Sequence, residues 1–302
     1  MPQTALTIGT AYPDRYMAGT GTEDDPWIIG AGDDEQNFQN FLDAIYTESA
    51  YIKLSKNIDV SKSLTYREGF NHRIDIYALK LYADENKAAV NGMIIRSNYG
   101  LFSQTSASIE NIRFLNMIHQ GGYETIYSNT TTNYIGCDFS IIHQCDGLGY
   151  SFSMASAYFK NCSIQYQCID YQLSHAGAVF KSSFVNCQIH YTGPIYLSSS
   201  AVYSLIGLST RKIERVGITG NLIALGGASG FLFNNCKKCY FAGTIQNDIG
   251  DATLSTAYNS TNCLAMLSDT GENATATDTT IIAITEEQLK DRDYLYSIGF
   301  LP

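Results

Sequence analysis

The octapeptide FVNCQIHY, starting at Phe184, returns in altered form three times upstream: FKNCSIQY from Phe159, YIGCDFSI from Tyr134 and IENIRFLN from Ile109. Successive starts lie 25 residues apart. A further copy, FNNCKKCYF, starts at Phe233, 49 residues beyond Phe184 and close to two periods. A unit this short cannot bury its own apolar face, so a chain that repeats it in tandem must stack the units on one another.

Inside each copy the apolar positions alternate, as in Phe159, Cys162 and Ile164, or Phe184, Cys187 and Ile189. Alternation marks short strands with one buried face. One extra residue interrupts it: Asn111, Gly136, Asn161, Asn186 and Asn235 in the five copies. Asparagine and glycine are the residues that tolerate a left-handed bend, so each copy reads strand, bend, strand.

With these features the stretch from about 50 to 250 resembles the right-handed parallel β-helix proteins of the pectin-lyase-like kind. The resemblance implies an all-β solenoid with coils of about 25 residues. It further implies an asparagine ladder made by Asn111, Asn161, Asn186 and Asn235. Cys137, Cys162, Cys187 and Cys236 would then point inward, one above another, as small polarizable core residues. The expected organisation is an N-terminal segment and capping helix over 1–50, a β-helix over 51–250, and a degenerate last coil with a docking segment over 251–302.

The ends carry helix signals. Phe38, Phe41, Leu42 and Ile45 fall at one-face spacing behind Asp33 and Gln36 in capping-box positions, and a helix there would cover the open end of the first coil. Thr285 and Gln288 repeat the box near the C-terminus, where Ile298, Phe300 and Leu301 should dock on the solenoid or on a neighbouring subunit. Ile74, Ile76, Leu79 and Leu81 are the expected interior positions of the early coils.

Charge limits the partners. A formal net charge of −10 with no visible basic cluster argues against nucleic acid and anionic lipid, and no apolar stretch is long enough to span a membrane. The opening MPQTALTIGT shows no basic end followed by an apolar run, so no secretory leader is expected, and the eight cysteines read as free thiols in a reducing compartment. Cys236 and Cys239 form one C-x-x-C, read as structural because no second pair stands at zinc-finger spacing. No metal or cofactor is expected.

Two constellations remain as candidate sites. Asp146 and Asp170 hold nearly equivalent places in successive copies, and carboxylates one coil apart could reach the roughly 5–10 Å separation that glycoside hydrolysis needs. The competing reading makes both exposed turn residues. His143, Gln165, Tyr166, His190 and Tyr191 would make an outward strip able to contact sugar or a neighbouring subunit, or an ordinary solvated face. Together with the resemblance, these features lead to the expectation of a non-enzymatic structural component of a bacteriophage virion, such as a head or tail appendage, fibre or decoration protein. It would be made in the host cytoplasm and contact other virion proteins. It would assemble as a homo-oligomer, with a trimer implied by the resemblance, and could contact a host surface polysaccharide. A polysaccharide depolymerase and a bacterial surface adhesin, the latter extracellular, are the alternatives.

Overall fold

The computed structural model describes residues 17–63, 69, 74–96, 102–104, 107–121, 124–128, 132–144, 151–153, 157–169, 177–180, 182–196, 203–206, 212–225, 230–247, 254–258, 260, 262–265 and 281–301. Three long sheets run along the molecule, and within them neighbouring strands are parallel throughout, apart from Met17–Ala18, which pairs antiparallel with Trp27–Ile29. Sheet A stacks Trp27–Ile29, Tyr51–Leu54, Lys80–Ala83, Ser108–Glu110, Thr132–Ile135, Ala157–Lys160, Ser183–Val185, Ile213–Glu214 and Cys236–Lys237 in that order. Sheet B runs from Ile58–Asp59 to Ile281–Ala283, and sheet C from Ile74–Ile76 to Leu254–Tyr258. Each coil contributes one strand to each sheet, so the chain is an all-β parallel β-helix.

Register puts like on like. Tyr134, Phe159 and Phe184 pair in sheet A, and their rings stack at centroid distances of 4.8 Å with planes 4° and 10° apart. That distance is the ordinary spacing of strands in a sheet, so the aromatic column follows from the coil repeat without any adjustment. Opposite, Phe139, Ile164, Ile189 and Ile218 form a second buried row on sheet B.

The bend between sheets A and B is left-handed in coil after coil. Lys87, Asn111, Gly136, Asn161, Asn186, Arg215, Lys238 and Asn262 all have φ between 52° and 64°. Asn186 Nδ2 donates to Asn161 Oδ1 at 3.3 Å, and Arg215 Nε donates to Asn186 Oδ1 at 2.6 Å. Asn111, Asn161 and Asn186 thus share this corner, and Gly136, with no side-chain amide, leaves a gap between Asn111 and Asn161.

Asn235 and Cys236 do not share this corner. Ile213 pairs with Phe184 on one side and Cys236 on the other, so Cys236 is the equivalent of Phe184 and not of Cys187. Asn235 bends with φ 54° at a different corner, between the sheet C strand Gly230–Asn234 and Cys236. The true equivalents of Cys187 are Val216, Cys239 and Cys263. Their spacings of 29, 23 and 24 residues are uneven, and the Arg-Val pair at 215–216 lacks both asparagine and cysteine, which hid that coil from pattern matching.

Helix α1, Asp34–Ile45, closes the N-terminal end with the Asp33–Gln36 capping box formed and Phe38, Phe41, Leu42 and Ile45 buried. At the other end a second box, Thr285–Gln288, starts α2, Glu286–Lys290, and Asp291 then caps α3, Arg292–Ser297. Two short helices stand where one was expected because Asp291 is extended, ending α2, while its carboxylate accepts from Tyr294 N. Leu264, Ile284 and Leu295 form a small core there, with Tyr240, Ile298, Phe300 and Leu301 packed against it, so the tail docks on this chain's own last coils. Leu254–Tyr258 and Cys263–Ala265 still pair in sheets C and B, while sheet A ends at Cys236–Lys237 among the described residues. Among the early coils Ile74, Ile76 and Leu81 are interior, whereas Leu79 is 42% exposed because Ala78 takes the inward place.

Candidate functional site

The cysteines stand on the inner side of the left-handed bend. Cys137 Sγ donates to the Ile109 carbonyl at 3.3 Å, Cys162 to Tyr134 at 3.4 Å, Cys187 to Phe159 at 3.5 Å and Cys263 to Cys236 at 3.7 Å. In every case the acceptor belongs to the preceding coil. The first three thiols also reach a carbonyl two residues back, on Ile135, Lys160 and Val185. A residue here must be small, apolar and able to offer a weak donor to a carbonyl at a corner, which describes cysteine. Six of the cysteines, Cys137, Cys162, Cys187, Cys236, Cys239 and Cys263, are buried and free. Burial pushes the Cys162 and Cys239 thiols well above the ordinary range, and the neighbouring thiol does the same first for Cys187 and Cys263, with burial adding to it. Such thiols are poor nucleophiles and poor metal ligands. Among the described residues no group of three or more His, Cys, Asp or Glu side chains is placed to hold a metal ion.

The five-residue strip does not lie on one surface. Tyr166 and Tyr191 are 2% and 1% exposed and His143 is fully buried, so these three belong to the core. Strand alternation behind the bend divides the strip: Ile164, Tyr166, Ile189 and Tyr191 share the inner face, leaving Gln165 and His190 outside. Polar atoms on this inner face are satisfied within the core, His143 by Tyr166. His143 Nε2 lies 3.1 Å from the Gly121 carbonyl, which can only accept, so Nε2 carries the proton and Nδ1 accepts from the Tyr166 hydroxyl at 2.7 Å. His119, also buried, stacks on His143 at 4.4 Å.

Outside, Gln165 and His190 are adjacent and exposed, and His190 Nδ1 meets Thr219 Oγ1 at 3.0 Å while Nε2 meets Thr192 Oγ1 at 3.4 Å. One row over, Tyr240 donates to Gln188 Oε1 at 2.9 Å, and burial raises the Tyr240 phenol above its usual value. This outer face of sheet B is a band of amides, hydroxyls and one imidazole, able to exchange hydrogen bonds with a polar partner. Asp146 and Asp170 lie outside the described residues.

Sequence order concealed one surface feature. Lys212, Arg215, Lys237 and Lys238 come from two neighbouring coils, and the pairing of Ile213 with Cys236 and of Glu214 with Lys237 gathers them at one corner. Lys212 and Arg215 flank Glu214 at 3.3 and 3.5 Å and hold its carboxyl below the usual range, while Lys237 and Lys238 form no ion pair among the described residues. A local basic patch therefore exists where the linear sequence showed none. The uneven coil spacing that hid this register also hid the patch.

No helix among the described residues is long and apolar enough to cross a membrane. Comparison of the chain with protein-family models, with curated proteins and with solved structures gave no match.

Proposed function

We propose that this chain is a non-enzymatic structural component of a bacteriophage particle: a rigid, capped β-helix of the pectin-lyase-like kind serving as a head or tail appendage, fibre or decoration protein. The observation that carries the reading is the buried column of free thiols, of which Cys137, Cys162, Cys187 and Cys263 donate to the coil before. A solenoid built this way has to fold where thiols stay reduced, as in the host cytoplasm where virion proteins are made. The imidazole and phenols that a sequence reader would assign to chemistry, on His143, Tyr166 and Tyr191, are used in packing. What remains outward on sheet B acts by contact, and a host surface polysaccharide is the partner its amides and hydroxyls suit.

The test is density-gradient fractionation of a lysate of the source, followed by mass spectrometry of the fractions. Peptides from this chain should peak with intact particles at constant stoichiometry to the other particle proteins. Confinement to the soluble fractions would overturn the reading. Release of reducing ends or unsaturated sugars from capsule, abolished by Asp146→Asn or Asp170→Asn, would replace it with a depolymerase.

A further inference from the structure

The outer face of sheet A is charged with opposite signs at its two ends. In the turn leading into its strand Trp27–Ile29 stand Glu23, Asp24 and Asp25, and at the adjoining helix start stand Asp33, Asp34 and Glu35, all exposed, the last two bonded to Asp59 N and Ser63 towards sheet B; the exposed cations nearby among the described residues are Lys56 and Lys62. The basic corner of Lys212, Arg215, Lys237 and Lys238 sits at the strands seven and eight places along the same sheet, Ile213–Glu214 and Cys236–Lys237. At about 4.8 Å per strand the two clusters are about 34–38 Å apart along the axis.

Between them the outward rows are close to neutral and partly aromatic. Lys53 pairs with Asp84 at 2.8 Å and Lys80 with Glu110 at 2.9 Å. Tyr51, Tyr82, Ile135 and Tyr158 lie on this face, half-buried. Ile28 and Leu79, two of the three large apolar side chains most exposed among the described residues, lie on the same side at 37% and 42%. Tyrosine is enriched in protein interfaces because it covers apolar area while keeping a polar tip.

We infer that sheet A is the interface between two copies of this chain, packed face to face and antiparallel about a two-fold axis. That arrangement is favoured by charge. In an antiparallel pair the acidic end of each copy meets the basic corner of the other, and both contacts form at once. A parallel pair or parallel trimer through this face would set acid against acid and base against base. The apolar and aromatic middle then packs on itself across the axis.

The inference does not depend on the virion reading, since the interface would exist in the free protein as well as in a particle. Sedimentation velocity of the full chain tests it. At low salt the protein should sediment at twice its 33.3 kDa mass. Its dissociation constant should rise about tenfold or more between 0.05 and 0.5 M salt, as the Debye length shrinks. The triple variant Lys212→Glu, Lys237→Glu, Lys238→Glu should be monomeric, and so should Glu23→Lys, Asp24→Lys, Asp25→Lys. An equimolar mixture of the two should regain the dimer, because each reversed cluster again meets its opposite. Every substituted side chain is at the surface, and unchanged melting of each variant verifies the fold. Ile28→Asp, an outward change in the face, should also yield monomer. A monomer at every salt concentration, a trimer, or dimers indifferent to both charge reversals would each overturn the inference, the last by placing the contact elsewhere.

Discussion

At the scale of single residues, the left-handed bend sets the strictest requirement. Asn186 holds φ 54° and links Asn161 to Arg215 through its side chain, so both its backbone and its amide are in use. Asn186→Ala should destabilise by about 1–2 kcal/mol, since alanine keeps the Cβ that crowds the left-handed bend and loses the amide bonds to Asn161 and Arg215. Asn186→Gly should cost less because glycine adopts that φ freely. Denaturant melts of the three proteins check the order, and equal midpoints would count against a strained bend. Tyr166 gives a second case. Tyr166→Phe keeps the packing and loses the bond to His143, a loss of about 1–2 kcal/mol, whereas Tyr166→Ala should cost about 3–5 kcal/mol through the cavity it opens. If Tyr166→Ala were instead as stable as the parent, the ring could not be in the core. Asparagine at three bends was legible in the sequence because it is the residue that bend prefers. Arg215 and Lys238 were not, because a side chain that merely tolerates φ near 55° leaves no compositional mark.

At the scale of elements, the helices were the most legible parts. Capping boxes are local, three residues apart, and need no knowledge of tertiary contacts. Both boxes form as read, although the second helix of the tail was missed because its cap, Asp291, is also the end of α2. Strand faces were less legible. Alternation behind the bend puts Ile164, Tyr166, Ile189 and Tyr191 on one face and Gln165 and His190 on the other, so the expected strip combined side chains of both faces. Helix α1 carries a prediction of its own. Asp43 is buried, its Oδ1 accepts from Gln39, and its Oδ2 has no hydrogen-bond partner among the described residues. Burial raises its pKa above 3.8. Folding thus favours the protonated acid, a contribution that is full below 3.8 and is lost as pH rises through the raised value. At neutral pH the ionised group weakens the cap, so Asp43→Asn should melt higher than the parent at pH 7, with the gain shrinking as pH falls towards 3.8. A gain that grew on acidification would have the wrong sign for this cause.

At the scale of the whole molecule, the repeat was legible because a solenoid writes its period into the chain, and the register of its later coils was not, because spacings of 29, 23 and 24 residues break the count. Opposite charges at the two ends of sheet A could be seen only once the coils were stacked. The central claim is that the side chains most suggestive of chemistry, above all the cysteine column, are the interior of a structural rod. Peptide-resolved alkylation of the intact protein at pH 8, before and after unfolding in guanidinium, tests this most directly. Cys137, Cys162, Cys187, Cys236, Cys239 and Cys263 should stay unlabelled in the native protein and all react once it is unfolded. Rapid labelling of Cys137, Cys162 and Cys187 in the native state would put that column on the surface and contradict both the register and the function drawn from it.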